Sequence, residues 1–442
     1  MTGVTEELVR EVSKRKGEPE WMLQLRLKGL AEFQKSTIPR WIDPYYRERI
    51  RFDELAYYVK ATEGVVNSWE EVPEDIRKTL EGLGIREAEQ KFLAGLSVQV
   101  ESEAIYESVQ EDLRKKGVSF MDLDTAVKER PSLVQQYFSR IMPPSSNIFA
   151  ALNTALWSGG VFIHVPRGVE VTIPLQSYFR ITKPNLGQLE HTLIILEEGA
   201  SVHYIEGCSA PIFSKLDLHA GVVEAFVGKG ATLKFTTIQN WSKNVINVGN
   251  KRAVAMDHAV VDWVDANLGS GLNLKYPTVI LSGPGASART LSLSLTTSGQ
   301  VNDSGARMIH LAPDTRSTLT SKSVVKGSGK NIFRGMVRVA EGAEGVRARS
   351  RCDTLILSSS AVSDTEPVLE VFEPSADVGH EATVTRLGDD QLFYLMSRGL
   401  TEQEATYAVV NGFVSDFVRT LPMEYALEMN RLIELEMKGA VG

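Results

Sequence analysis

A glycine-centred turn recurs at a fixed interval in the middle of this chain, and that recurrence restricts the fold more than any other feature. The segments PRGVEV, EEGASV and GKGATL place Gly168, Gly199 and Gly230 at intervals of 31 and 31 residues, each with an apolar run on both sides. SGPGAS around Gly285 repeats the pattern after a longer gap, and AEGAEG near Gly342 echoes it. Runs rich in Val, Ile, Leu and Thr fill the intervals: Val161–Val165, Thr192–Leu196, Val222–Val227, Thr232–Ile238 and Leu291–Thr297. Such runs between glycine turns read as strands. Equal spacing of strand–turn–strand units marks a solenoid, in which each coil buries its apolar face on the next. A β-sandwich also has many short strands, but from about Ala150 to Val378 the strands follow one another without crossover helices, which disfavours α/β folds. The pattern predicts a parallel β-helix.

The flanks have a different texture. Residues 1 to about 145 are polar, charged and poor in glycine, with apolar residues at helical spacing. Trp21, Leu25, Leu30 and Phe33 line one face of a helix opened by Glu18-Pro19-Glu20. Ser102 to Lys116 reads as another, with Ile105, Val109 and Leu113 on one face and Gly117 beyond its end. Thr125 to Tyr137 carries a further helical pattern around Pro131. At the other end, a helix should cover Asp389 to Ser397, with Gly399 after it. Thr401-Glu402-Gln403-Glu404 is a capping box opening a helix to about Thr420. Pro422 starts a third, carrying Tyr425, Leu427, Met429, Leu432 and Leu435 before Gly439. The expectation is a mainly β fold: a parallel β-helix core over 150–378 between an N-terminal helical domain, 1–149, and a C-terminal one, 379–442. The last helices have more apolar side chains than so small a bundle hides, which suggests a docking face.

Composition narrows the chemistry. Of 442 residues 43% are hydrophobic and 24% charged, the proportions of a folded soluble chain. The net charge of -8, from 48 basic and 56 acidic residues, exerts no general pull on nucleic acid or anionic lipid. No run nears the roughly 20 apolar residues of a membrane span, and the opening MTGVTEELVREVSKRKGEPEW has no signal-peptide core. Only Cys208 and Cys352 are cysteine, so a disulfide scaffold is excluded and a reducing cytoplasm expected. Two thiols also cannot complete a four-cysteine zinc or iron–sulfur site.

No Cys-x-x-Cys, His-x-x-x-His or Gly-x-Ser-x-Gly motif occurs. The segment Lys326-Gly327-Ser328-Gly329-Lys330-Asn331 lacks the early glycine and the final Ser/Thr of a phosphate loop, so nucleotide hydrolysis by this chain is not expected. Cys208, in Glu206-Gly207-Cys208-Ser209-Ala210-Pro211, reads as a turn residue after a strand, its sulfur reachable as a nucleophile or persulfide acceptor; taken alone, an ordinary half-buried cysteine is the commoner case. Cys352 lies in the strand Arg347-Ala348-Arg349-Ser350-Arg351-Cys352-Asp353-Thr354. Period two puts Arg347, Arg349 and Arg351 on one face and Cys352 inward with small residues, where a simple filler is the commoner role. His380-Glu381 stands at the boundary into the terminal helices; imidazole and carboxylate both ligate iron, though such a pair is more often a surface contact.

Several ordered segments resemble one known family. They are Gly17-Glu18-Pro19-Glu20-Trp21-Met22, Phe149-Ala150-Ala151-Leu152-Asn153, Tyr178-Phe179-Arg180-Ile181, the Cys208 segment, Leu218-His219-Ala220, Thr237-Ile238-Gln239-Asn240-Trp241 and Met308-Ile309-His310-Leu311. Arg351-Cys352-Asp353, His380-Glu381-Ala382-Thr383, DQLFYL from Asp390, VNGF from Val410 and Leu421-Pro422-Met423-Glu424 complete the set. Together they resemble the SufB/SufD family of the SUF iron–sulfur cluster assembly system, and the Gly17–Met22 opening favours its SufB branch.

That resemblance implies a right-handed parallel β-helix flanked by helical domains, and a scaffold rather than an enzyme. It implies Cys208 as sulfur acceptor, Cys352 as the residue that nucleates a transient cluster, and His380 and Glu381 as candidate ligands. Arg180, Gln239, Trp241 and Lys251 look like the family's polar path between the two cysteines. Implied partners are a SufC-type ABC ATPase on the C-terminal helices, a SufD-type subunit or a second copy along the β-helix, and a cysteine desulfurase system; reduced FAD is a further candidate cofactor. The chain departs from the family at Thr182, where asparagine is expected, and at Ser358–Val362, which has no thiol. The rival readings are a purely structural SufD-like subunit and a β-helix enzyme, for which no groove of catalytic carboxylates stands out.

Overall fold

The computed structural model describes residues 3–60, 65–82, 85–211, 216–421, 426 and 429–434. It is a parallel β-solenoid of about eight turns with helices at both termini. Successive strands alternate between two sheets, so each coil gives one strand, or two short ones, to each. The first sheet runs through Gly95–Val100, Glu170–Arg180, Ser201–Ser209, Thr232–Trp241, Val260–Gly269, Ser287–Thr296, Arg316–Val325, Arg347–Ile356 and Asp377–Arg386, all parallel. The second includes His191–Leu196, Asp217–Val227, Val245–Ala255, Leu272–Lys275, Val301–His310 and Lys330–Val339, also parallel.

The glycine turns stack as the spacing requires. Gly168, Gly199, Gly230 and Gly285 have φ of 69°, 68°, 63° and 70°, the left-handed region that a side chain disfavours. Each donates its N–H to the next turn: Gly168 to Glu198 O, Gly199 to Lys229 O and Gly230 to Asp257 O. The longer gap before Gly285 conceals another turn rather than a longer coil. His258, with φ 53°, stands where a glycine would, and Asp314, with φ 58°, does so one coil beyond Gly285; His and Asp tolerate this conformation better than most residues. Because side chains alternate along a strand, aligned coils stack like on like inside. Tyr204, Phe235 and Trp263 fall in one register and pack ring against ring, with centroids 4.9 and 4.8 Å apart.

The Gly17–Met22 segment fastens the N-terminal helices to this core. Gly17 ends the helix Glu6–Lys16 in a left-handed cap, and Pro19 caps Glu20–Lys35. Both Glu18 carboxylate oxygens accept from the buried Arg26 guanidinium, at 2.7 and 2.6 Å. Arg26 in turn donates to Ala155 O and Trp157 O and lies over the Trp157 ring. A second anchor is Glu224, which accepts from the N–H groups of Ser139, Ile141 and Met142 and meets His191 at 3.0 Å.

The structure corrects the reading of the flank at Ser102 to Lys116. Glu103–Val109 is a strand, antiparallel to Gly95–Val100, and only Glu111–Lys115 is helical. Glu101, at φ 58°, turns the chain into this hairpin, and Ile105 and Val109 fit a two-residue period as well as a helical one. Strands of the first sheet thus occur from Gly95 to Arg386, past both edges of the expected 150–378 core. Thr125 to Tyr137 is two helices, Leu123–Glu129 and Pro131–Tyr137, parted at Arg130. Asp389–Ser397 is helical, and Glu402–Val418 carries the Thr401–Glu404 capping box. Pro422, Tyr425, Leu427, Leu435 and Gly439 lie outside the described residues; 429–434 is helical, with Met429 and Ile433 buried.

Candidate functional site

The two thiols occupy the interior of one solenoid, far apart. Cys208 is not a turn residue: it lies within the strand Ser201–Ser209 and is 2% exposed. Its segment continues the inward pattern Val202, Tyr204, Glu206, Cys208, with Gly207 inside the strand and Pro211 beyond its end. Cys352 is 1% exposed in Arg347–Ile356, inward with Ala348 and Ser350 as period two requires. Five strand steps separate them, about 24 Å at the usual inter-strand spacing.

Around Cys208 the interior is polar and charged. Gln239 is its register neighbour on the next coil, and Thr237 is that of Glu206. Lys251 Nζ lies 3.2 Å from Glu206 Oε1 and 3.8 Å from Asp265 Oδ1, donates to Thr237 Oγ1, and sits over the Phe235 ring. Lys275 Nζ meets Asp265 Oδ1 at 2.7 Å and reaches Gln239 Oε1 and Asn267 Oδ1 at 3.3 and 3.2 Å. His219 Nε2 lies 2.6 Å from Glu190 Oε1, and its ring packs on buried Trp241 at 4.7 Å.

These contacts set the charge states. Burial, then the negative charges of Glu206 and Glu190, push the Cys208 thiol well up; Lys251 and Lys275 oppose them. Burial alone would raise Asp265, but Lys275 and Lys251 override it and hold the carboxyl low. Burial drives Lys275 down, against the pull of Asp265. Burial likewise works against His219 protonation, but Glu190 outweighs it and raises the imidazole. The site therefore offers cations to any anion formed at Cys208.

Arg180 is placed differently from the expected path. Phe179 is the register neighbour of Cys208, and Arg180 that of Ser209, so the guanidinium leaves the opposite face of the strand. There Arg180 Nη1 donates to Ser209 Oγ at 2.9 Å. Gln239, Trp241 and Lys251 do gather on the interior side. Lys275 and Asp265 were missed because an isolated lysine or aspartate in an apolar strand gives no motif. Also missed was a column of asparagines, Asn247, Asn273, Asn302 and Asn331, whose separations of 26, 29 and 29 residues repeat the coil length. That periodicity was the available signal.

At the other end, burial pushes the Cys352 thiol up, while Thr365 and Thr354 hydroxyls oppose it. His380 and Glu381 belong to the last strand, Asp377–Arg386, not to a helix boundary. His380 pairs in register with Ser350 and Ala382 with Cys352, so His380 shares the Cys352 face while Glu381 points the other way. Glu381 Oε1 lies 3.3 Å from Arg351 Nε on the outside. His380 Nδ1 and Ser350 Oγ are buried without hydrogen-bond partners. Among the described residues no three His, Cys, Asp or Glu side chains converge as a metal cage. The thiol and imidazole suit iron by donor type, but they supply too few donors for a cluster.

The class defined by this geometry is a parallel β-solenoid that buries a cluster of lysines and carboxylates beside one thiol, Cys208, and a second thiol, Cys352, in a later coil. Residues 179–413 match the family described as "SUF system FeS cluster assembly, SufBD core domain", and 91–177 match the "SufBD protein N-terminal region". An iron–sulfur cluster assembly protein SufB of Bacillus subtilis is 50% identical over 440 residues, covering 100% of this chain and 94% of the relative. An iron–sulfur cluster assembly SufBD family protein of Staphylococcus saprophyticus is 50% identical, and one of Staphylococcus aureus 51%, over the same span. The chain belongs to the SufB/SufD family, whose role is in iron–sulfur cluster assembly. Among the described residues no helix is long and apolar enough to cross a membrane.

Proposed function

We propose that the chain is a cytoplasmic, non-enzymatic scaffold that takes up sulfur at Cys208 and starts a transient iron–sulfur cluster at Cys352. The observation that supports this most is the buried ionic cluster of Lys251 and Lys275 with Glu206 and Asp265 beside Cys208, in a solenoid that also buries Cys352. A desulfurase persulfide would be the donor: the Cys208 thiolate attacks its outer sulfur, and the donor cysteine leaves as thiolate. Lys251 and Lys275 would stabilise the resulting anion, which a purely apolar core would not. Gln239 and Trp241 line the same interior, whereas Arg180 could act only at the strand end, through Ser209.

Iron at Cys352 needs donors beyond those of one chain, and the last coil is where they would arrive. Val368, Leu369, Val371 and Phe372 are exposed there, as is Val384 on the strand that ends the first sheet among the described residues. An open sheet edge with apolar side chains is a template for strand pairing, which suits a SufD-type subunit or a second copy bringing ligands to Cys352, His380 and Glu381. Exposed Phe393, Tyr394, Met396 and Leu400 on and after Asp389–Ser397 suit the SufC-type ABC ATPase. No observation among the described residues favours reduced FAD, and it forms no part of the proposal. Anaerobic reconstitution with iron and sulfide tests the assignment: the cluster absorption should disappear in Cys352→Ala, and an unchanged signal refutes it. Co-purification with the ATPase should fail when Phe393 and Tyr394 are replaced by serine.

A further inference from the structure

The outer face of the first sheet carries a run of arginines that the sulfur chemistry does not use. Side chains alternate along a strand, so Ala288, Ser317 and Ala348 face inward and leave Arg289, Arg316, Arg347 and Arg349 outside. Arg351 continues the run, and all five are exposed. The helix Glu402–Val418 covers only the other half of these strands, where Leu293, Leu295 and Val324 pack against Val410, Val414 and Phe417. The half that bears the arginines stays open.

Carboxylates already hold three of the five. Arg289 takes Asp262 through Nε and Nη2, at 3.0 and 2.5 Å. Arg349 Nη2 meets Asp377 Oδ2 at 2.7 Å, and Arg351 Nε meets Asp353 and Glu381 at 2.9 and 3.3 Å. Arg316 and Arg347 are different. They stand opposite each other on neighbouring strands, and among the described residues neither makes a hydrogen bond or salt bridge. Asp377 feels the charge of Arg347, but its carboxylate is bonded to Arg349. Like charges facing each other across strands repel, and an anion seated between these two guanidiniums relieves that repulsion. Arg316 lies in a groove of about 310 Å³ whose lining includes Asp262, Ser287, Arg289 and Thr318.

The surroundings choose the ligand. A guanidinium fork matches a carboxylate at two points, as Arg289 and Asp262 already show. Arg289 to Arg347 spans two strand steps, about 10 Å, within the reach of neighbouring acidic side chains on an extended segment. The groove lies on an open sheet face and does not enclose a small anion as ligand pockets do. A nucleic acid backbone, with a phosphate charge about every 1.7 Å, would have to run over Asp262, Asp377 and Glu381.

We propose that this arginine groove is a docking site for an acidic segment of a partner protein, whose carboxylates are taken by Arg316 and Arg347. The whole chain has a net charge of -8, so this face steers an acidic partner to one side of an otherwise repelling surface. The site is independent of the roles proposed for the two cysteines.

The test titrates fluorescein-labelled hexaglutamate with the full chain at low salt and reads fluorescence anisotropy, with a melting curve to confirm that each variant is folded. The wild type should bind, and more weakly as salt approaches about 0.15 M. Arg316→Glu combined with Arg347→Glu should weaken binding about tenfold, because two exposed carboxylate contacts become repulsions. Arg307→Glu combined with Arg338→Glu, both exposed on the second sheet, should leave binding at the wild-type level. Equal losses in the two double variants mark a response to net charge alone and overturn the proposal, as does a wild type that does not bind. Inorganic phosphate that competes with hexaglutamate and binds as tightly makes the groove a small-anion site, which overturns the assignment to a polypeptide.

Discussion

The coil that holds Cys208 and the coils that hold Cys352 and its neighbours are built on one plan and finished differently. Next to Cys208, the strand Asp217–Val227 is buried at almost every position, and paired charges fill the interior. At the far end, the strand Asp377–Arg386 is exposed at most positions, its outward charges pair in solvent, and among the described residues its outer edge is unpaired. An interior position in a solenoid is covered by the coils on both sides; a terminal one has a neighbour on one side only. The same fold therefore buries both thiols, yet leaves the last coil beyond Cys352 with apolar side chains exposed.

The largest contrast should be energetic. Asp265→Ala leaves Lys251 and Lys275 buried without their shared counter-ion, and breaking such a site costs about 3–5 kcal/mol, measurable by denaturant unfolding. Arg349→Ala, which removes an exposed pair with Asp377 on the last coils, should leave the midpoint where it is. Similar losses for both would erase the distinction between sheltered and open coils.

Thiol chemistry should differ next. Alkylation needs thiolate, and both thiols are raised, Cys208 the more strongly. Both should react slowly at neutral pH, with Cys352 responding first as pH rises. Lys275→Met should move the Cys208 profile to higher pH and Glu206→Gln to lower pH, because the first removes a favourable and the second an unfavourable charge. Because folding raises both thiol pKa values, their contribution to stability is complete below the unfolded value, about 8.5, and declines as pH climbs through the folded values. Unfolding midpoints measured from pH 7 to 10 would check this, with Cys208→Ala flattening the decline. The smallest effect on the isolated chain should come from Val384→Asp, an exposed change that leaves stability alone. It should nevertheless weaken association with a partner subunit by sedimentation; unaltered association would close that edge as an interface.

Much of the solenoid was legible because its turns demand left-handed backbone, and glycine announces that demand at Gly168, Gly199 and Gly230. Legibility failed where another residue met it: His258 and Asp314 adopt the same conformation without the glycine signal. It failed again at Glu103–Val109, whose apolar spacing fits helix and strand alike and is decided by pairing with Gly95–Val100. The inward direction of Cys352 followed from strand alternation. The burial of Cys208 did not, because the strand runs on to Ser209, up against the residues that read as a turn. Lys275 and Asp265 meet across the interior from the two sheets of one coil, and only the folded chain shows that.

The two thiols are proposed to do different things, and one reconstitution separates them. Cluster formation should be followed anaerobically with sulfur supplied either by a cysteine desulfurase or as free sulfide. Cys208→Ala should lose the cluster with the desulfurase and regain it with free sulfide, while Cys352→Ala should lose it under both. Identical behaviour of the two variants under both sulfur sources would give the two thiols a single role.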